Sequence, residues 1–242
     1  MTPQEIREAI QGIVSPHNAS PALSASLLDN LADESMNEMV IAAKPPSLRV
    51  TVRQDLIADQ AEYPMAANML LPLALRFSTH NRWETLKKVT QEQLADIEPD
   101  WNSETNDARG TTQYYYESGI VTTVGADYGK RNISLWPVPT VTVEDGLEST
   151  YLRRPTKMVD VGSSEVIDVD PAHHFGIVYR VAYKLLLRQG SKLAKGVLDG
   201  YDTLWKQAVF NLKAHHSEAW LDDMKVGIGT FRGVGVSLPW TR

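Results

Sequence analysis

The nine residues "NISLWPVPT" (132–140) show that a β-rich region interrupts an otherwise helical chain. The apolar run from Ile133 to Trp136 is typical of a short strand. Because proline has no N–H to donate to a β-ladder, Pro137 and Pro139 should end this strand or lie at a sheet edge. The stretch contains no acid, base, nucleophile or metal ligand, so the pattern indicates an architectural role.

Short β-prone runs separated by Gly, Pro, Asn and Asp occupy residues 48–168 and predict a β-rich region. The predicted strands are Leu48–Val52, Leu71–Phe77, Thr112–Tyr116, Asn132–Trp136 and Leu147–Leu152. One helix interrupts them, because Thr90 and Gln93 have the form of a capping box and Pro99 ends the segment. The polar residues Ser118–Arg131, with three glycines, predict an exposed hairpin loop.

Two helices are predicted before this region. Thr2 is followed by proline and, three residues after the cap, by glutamate, which predicts a helix over residues 2–14. A second apolar stripe at helical spacing runs from Ser20 to about Ala43, where two consecutive prolines stop it.

Two further helices are predicted after the β-rich region. Asp170 can cap the first, which ends just before Ser191; the second continues to about Trp220. The short break between them predicts an αα-hairpin. Gly196 and Gly200 are costly inside a helix, so they either permit close packing or mark a bend.

Residues 221–242 differ from the preceding helices. Glycines at four positions argue against a stable helix, yet the segment is apolar and cannot form a core by itself. An extended tail that docks on this chain or on another is therefore predicted. Phe231 and Trp240 are the best anchors, and Arg232 and Arg242 could pair with acidic groups on a partner.

The predicted fold class is α+β. A helical bundle is built from N-terminal helices and a C-terminal αα-hairpin, with a β-rich insertion and an extended tail. The predicted divisions are 1–47 for the N-terminal helices, 48–168 for the β-rich insertion, 169–220 for the helical hairpin and 221–242 for the tail.

Composition excludes several functional classes. The 242 residues include 24 basic and 30 acidic side chains, for a net charge of −6, which is a poor basis for gripping a nucleic-acid backbone. The absence of cysteine removes disulfides, thiol catalysis and cysteine-ligated zinc. The N-terminal segment does not have the pattern of a signal peptide, and no stretch approaches the roughly 20 apolar residues that span a bilayer. A soluble product with no membrane partner is expected.

The strongest candidates for chemistry are two histidine pairs, 173–174 and 215–216, with Asp168 and Asp170 nearby. Such residues can bind zinc, and an antiparallel hairpin could bring the pairs together. Adjacent helical residues point about 100° apart, however, whereas metal pairs on helices use a spacing of three or four. Ordinary helix-terminal histidines and no metal site are therefore expected.

Other motifs give no support for an enzyme. The sequence lacks a Gly-x-Ser-x-Gly elbow, a P-loop and a dinucleotide fingerprint. The acidic residues 97–107 are interpreted as a solvated turn. In residues 110–118, alternation should send Tyr115 to one face of a strand and Tyr114 and Tyr116 to the other, as in a structural strand. No catalytic residue and no cofactor is expected.

The order of these features resembles the head-to-tail adaptor (connector, or tail tubular A-like) proteins of tailed bacteriophages. The resemblance rests on an ordered set of features. They are Trp101, Gly110, the aromatic run 113–116, the strand with its Pro-x-Pro end at 133–139, the strand 147–151, Arg153-Arg154-Pro155 and the helix start 170–174.

The resemblance implies a structural virion protein. Such proteins form a homo-oligomeric ring, usually of twelve subunits, that assembles in the host cytoplasm and joins the portal protein to the next neck or tail component. DNA passes through the ring without specific binding, and C-terminal segments reach onto the portal or a neighbouring subunit. A stopper-like neck or tail-completion protein is the alternative, and a His/Asp metal-dependent hydrolase is the less favoured one.

Overall fold

The computed structural model describes residues 1–17, 23–79, 82–99, 101, 109–120, 131–162, 165–188 and 195–229. Of residues 17, 79, 120 and 216–229 it describes the backbone alone. The chain divides into two compact units. One consists of Met1–Ser47 and Pro155–Arg242, and the other is Leu48–Arg154.

The described residues contain five α-helices. They are α1 (Pro3–Val14), α2 (Ala25–Ala43), α3 (Gln91–Ile97), α4 (His174–Arg188) and α5 (Lys195–Gly229). Short 3-10 turns lie at Ser15–His17, Pro46–Leu48 and Pro171–His173.

The predicted helix ends are confirmed where side-chain caps mark them. The Thr2 hydroxyl accepts a hydrogen bond from the Glu5 amide, and the Glu5 carboxylate accepts one from the Thr2 amide. This reciprocal pair satisfies two donors that a helix start would otherwise leave unpaired. The predicted start of α2 at Ser20 is wrong: Ser24 caps the helix by accepting from the Leu27 amide. Residues 18–22 lie outside the described part of the chain.

The core of the first unit is formed by apolar faces of α1, α2, α4 and α5. The side chains with 2% exposure or less include Ile6, Ile10, Leu28, Met36, Met39, Val40, Ile177, Val181, Leu186 and Leu212. Apolar burial of this kind stabilises by about 25 cal/mol per Å² removed from water, so it is the main force joining the helices.

The C-terminal helix is longer than the sequence predicted. We expected a helix ending near Trp220 and an extended tail from 221, whereas α5 continues through Gly227 to Gly229. Once a helix is nucleated, each further residue adds a backbone hydrogen bond, so a cost of about 1 kcal/mol per glycine does not end the helix. The junction between α4 and α5, predicted as a break at Gly190, lies in 189–194, outside the described residues.

Ten strands are described. They are β1 (Arg49–Leu56), β2 (Glu62–Pro64), β3 (Met69–Thr79), β4 (Arg82–Thr85), β5 (Lys87–Lys88), β6 (Arg109–Gly110), β7 (Tyr114–Ile120), β8 (Arg131–Trp136), β9 (Val138–Pro139) and β10 (Val143–Arg153).

These strands form two four-stranded sheets and one two-stranded pair, in the orders β1-β10-β3-β4, β2-β8-β7-β5 and β6-β9. The long β10 pairs antiparallel with both β1 and β3, so Leu147 lies opposite Gln54 and Phe77. A single apolar cluster, including Tyr63, Phe77, Tyr115, Ile133, Leu135 and Leu147, draws on both larger sheets. Together with the helices this confirms the α+β class.

The stretch 132–140 has the predicted strand end. β8 pairs with β7 up to Trp136. The peptide bond between Trp136 and Pro137 is cis, and β9 then forms a two-residue parallel pair with β6. Both prolines contribute as acceptors: the Pro137 carbonyl accepts from the Thr112 hydroxyl at 2.9 Å, and the Pro139 carbonyl from the Asp59 amide at 2.9 Å. The hairpin predicted with a loop over Ser118–Arg131 has β7 and β8 as its arms, but its strands run further than expected, because Ser118–Ile120 belong to β7 and Arg131 to β8. Residues 121–130 lie outside the described part.

Candidate functional site

The four residues predicted to contact a partner, Phe231, Arg232, Trp240 and Arg242, lie outside the described residues. Their role stays a prediction. The described chain that leads to them is α5, so the geometry of this helix is the structural basis for any contact made by the C-terminal segment.

Helix α5 runs antiparallel to α4 and extends beyond it. The rings of Tyr179 and Tyr201 lie 6.4 Å apart, and those of His173 and His215 lie 6.3 Å apart. His173 immediately precedes α4, so residues 216–229 of α5 continue past the N-terminal end of that helix. At 1.5 Å per residue, these 14 helical residues span about 21 Å.

Apolar side chains are also exposed on the described part of α5. Phe210 is 69% exposed, and Val197 and Leu204 are more than a third exposed. On α4, Phe175 is half-exposed and its ring lies 6.1 Å from Tyr179, which stacks on Tyr201. The α4–α5 pair therefore presents apolar and aromatic surface as well as charge.

Ion pairs join α2, α4 and α5. Arg180 Nε donates to Glu38 Oε2 at 2.8 Å, and Arg180 NH1 lies 3.3 Å from an Asp202 carboxylate oxygen. Lys184 Nζ lies 3.2 Å from Glu34 and 2.9 Å from Glu38. Sequence reasoning missed this network. The signal was present: Glu34 and Glu38, and Arg180 and Lys184, are spaced four apart, so each pair lies on one helix face.

We expect Glu38→Gln to reduce the stability of the helical unit at neutral pH by about 1 kcal/mol, a charged hydrogen-bond value discounted for partial exposure. Burial alone would raise the pKa of Glu38, but hydrogen bonds from Lys184 and Arg180 outweigh it and lower that pKa below 4.5. The ionised form therefore stabilises the fold above the unfolded pKa, and this contribution is lost as the pH falls through the folded pKa.

Denaturant unfolding at pH 7 and at pH 3.5, followed by helical circular dichroism, measures this effect. The wild type should lose more stability between the two pH values than Glu38→Gln does. Glu8→Gln, at an exposed position of α1, is the matched control and should behave as wild type. An equal pH response in all three proteins would contradict the assigned role of Glu38.

The two histidines that open α4 have different environments. His174 is fully buried, with Nε2 donating to the Val169 carbonyl at 2.6 Å and Nδ1 accepting from the Met1 amino group at 2.6 Å. Burial lowers the pKa of His174, against the opposing effect of the Val169 hydrogen bond. With both ring nitrogens occupied, His174 is a structural histidine, as the sequence indicated.

His173 has a different set of neighbours. Donor atoms of Asp170, His173 and His215 all lie within 4.8 Å of one another, and Asp170 Oδ2 is 3.7 Å from His215 Nδ1. The antiparallel α4–α5 pair thus brings together one member of each histidine pair. Asp168, the other nearby acid, accepts hydrogen bonds from the Thr156 amide and hydroxyl.

The aromatic run in β7 has the predicted structural role. Tyr115 is buried in the cluster shared by the two larger sheets, whereas Tyr114 and Tyr116 pack against a second cluster around Trp136. Trp101 meets Tyr116 edge-to-face with ring centroids 5.5 Å apart. Most of the acidic run 97–107 lies outside the described residues, so its interpretation as a solvated turn stays a prediction.

Within the described part of the chain, no helix combines the length and apolar character needed to cross a membrane. A protein-family model described as SU10 adaptor protein matches residues 1–218. A comparison with curated proteins gave no match. The family match takes in both compact units, up to the part of α5 that extends past α4.

Proposed function

The chain belongs to the SU10 adaptor protein family, a family of phage head-tail adaptors, and we propose that it acts as a ring joining the portal vertex to the tail. The observation that carries this proposal is the match over residues 1–218, which includes nearly every element of both units. The family is structural, so the role assigned here is one of assembly and not of catalysis.

The ring is proposed to contain about twelve copies, as in the phage connectors that the sequence resembles. A head-to-tail contact between neighbouring copies closes into a ring when its rotation closes. The exposed apolar side chains on the described part of α5 support such a contact, because a neighbour that covers them removes apolar surface from water and lowers the free energy.

The ring would extend the channel through which DNA moves. Of the charged side chains, 30 are acidic and 24 basic, and an excess of negative charge lowers affinity for the phosphate backbone. DNA would therefore pass without specific binding. The assembled protein is placed in the virion neck, after assembly in the host cytoplasm.

We assign the parts of the chain as follows. The helices of 1–47 and 169–220 form one bundle that faces the portal. The β-rich region predicted over 48–168 is inserted between them, and within it Leu48–Arg154 form the second compact unit, whereas Pro155 onward groups with the helices. The C-terminal segment reaches onto the portal or a neighbour. Because α5 is helical to Gly229, the predicted extended tail from 221 is not seen up to that residue, and residues 230–242 lie outside the described part. Phe231, Arg232, Trp240 and Arg242 remain the proposed contacts.

Electron microscopy of the chain mixed with the purified portal protein tests this role. We expect a ring seated on the tail-facing end of the portal, with about twelvefold symmetry. A ring that binds only a preformed portal–adaptor complex, and not the portal alone, would instead identify a stopper-like protein and overturn the adaptor role.

A further inference from the structure

We propose that Asp170, His173 and His215 together bind one divalent transition-metal ion, for which zinc is the best fit, and that this ion fastens α5 to the start of α4. This site is independent of the adaptor role. Its three residues come from the cap of a 3-10 turn, from the last residue of that turn and from a helix more than 40 positions later in the chain.

The spacing of the donor atoms suits a tetrahedral zinc ion. With zinc–ligand bonds of about 2.1 Å, neighbouring ligand atoms lie about 3.4 Å apart. Asp170 Oδ2 and His215 Nδ1 are already 3.7 Å apart, and the widest separation in the set is no more than 4.8 Å. The His215 side chain is 57% exposed, so a small rotamer change can close the remaining distance.

The second observation is a buried nitrogen that has no hydrogen-bond partner. His173 is only 8% exposed, and its Nε2 is inaccessible to solvent and unpaired. A buried polar atom left in this state costs about 1–3 kcal/mol, and native proteins normally satisfy such atoms. The adjacent His174 shows the usual solution, since both of its ring nitrogens have partners.

The donor set selects the class of metal. Two imidazoles and one carboxylate suit zinc and its neighbours in the first transition series, whereas calcium and magnesium prefer oxygen alone. Three protein ligands leave a fourth position for water or another group. The turn also positions Asp170, because its Oδ1 accepts from the Ala172 amide at 2.9 Å and leaves Oδ2 facing His215.

A bound ion would stabilise the place where α5 passes the start of α4. Residues 216–229 continue past that start, and His215 lies next to His173 there. Fixing His215 in place would hold the point at which residues 216–229 leave the α4–α5 pair. An ion that binds only the folded chain raises its stability by mass action.

Metal analysis and thermal unfolding of the full chain test the proposal. The protein is stripped with EDTA, incubated with ZnCl2 and passed through gel filtration. We expect one zinc per chain and a higher unfolding temperature than in the stripped protein. Asp170→Asn, which retains an oxygen for the Ala172 amide, and His215→Ala, at an exposed position, should each weaken zinc binding at least about tenfold.

Two control variants separate this site from nonspecific binding. Asp199→Asn changes an exposed acid on α5, and His80→Ala removes a histidine about 90 positions before the site in the chain. Both should retain one zinc per chain. Wild-type protein without retained zinc, or unchanged binding in either Asp170→Asn or His215→Ala, would overturn the proposal and leave a close contact between Asp170 and His215 without a metal.

Discussion

Replacing Gly176 by alanine is expected to destabilise the helical unit by about 1–3 kcal/mol, the usual range for overpacking a filled core. A Cβ at this position would lie 2.6 Å from the Ala208 Cβ on α5 and 2.7 Å from the Met39 Cε on α2. The methionine end can move aside, but Ala208 Cβ moves only with the α5 backbone. One added methyl group would therefore push α5 away from α4.

Gly200→Ala is the matched control for this prediction. Gly200 also lies in a helix, but nothing is within 4 Å of where its Cβ would be. The same substitution there should stabilise by about 0.5–1 kcal/mol, because alanine favours the helix. Denaturant unfolding followed by helical circular dichroism measures both variants. Equal effects of the same sign would contradict the close α4–α5 contact at Gly176.

Ending the chain at Gly229 is expected to abolish binding to the portal while keeping every described residue of α5. The residues removed include Phe231 and Trp240, and large aromatic side chains dominate the energetics of protein interfaces. Loss of each such anchor costs about 2 kcal/mol or more, which is about 30-fold in affinity. Gel filtration of the truncated chain with purified portal measures the outcome.

Point variants show whether the aromatic anchors carry this effect. Phe231→Ala combined with Trp240→Ala should weaken portal binding as strongly as the truncation does. Ser237→Ala combined with Thr241→Ala changes the same segment without removing an aromatic ring and should bind as wild type. Undiminished binding by the chain that ends at Gly229 would remove the C-terminal segment from the interface.

Sequence reasoning succeeded where a local signal determines local structure. The capping boxes at Thr2 and Thr90 mark helix starts because they satisfy backbone donors within a few residues. It missed the four-residue β4, the three-residue β2 and the two-residue β5, β6 and β9. Such short strands exist because of their pairing partners, so their own composition does not predict them.

The role of the helix glycines could not be read from the sequence. Gly196 and Gly200 were candidates for close packing or a bend, yet nothing lies within 4 Å of the position of an added Cβ at either residue, whereas Gly176 is tightly packed. Close approach depends on which face of α4 meets α5, and that register follows from the whole core. The end of α5 was predicted too early because a long helix tolerates glycines that would prevent a short helix from forming.

The candidate sites were only partly predictable. The histidine pairs were recognised, but the spacing rule for metal ligands was applied to the two adjacent residues within each pair. The cluster instead takes one histidine from each pair, together with Asp170. The charged network between Glu38, Arg180 and neighbouring residues requires knowing that α2 and α4 lie side by side. Long-range pairings of this kind follow from packing and not from local pattern.

The most direct test of the adaptor role is the mass of the chain in solution, measured by light scattering with and without purified portal protein. The account predicts a complex in which the portal carries a full ring of about twelve copies of the 27.0 kDa chain, whatever the state of the free protein. A portal mass that does not change on addition of the chain, or that increases by only one or two copies, would contradict it.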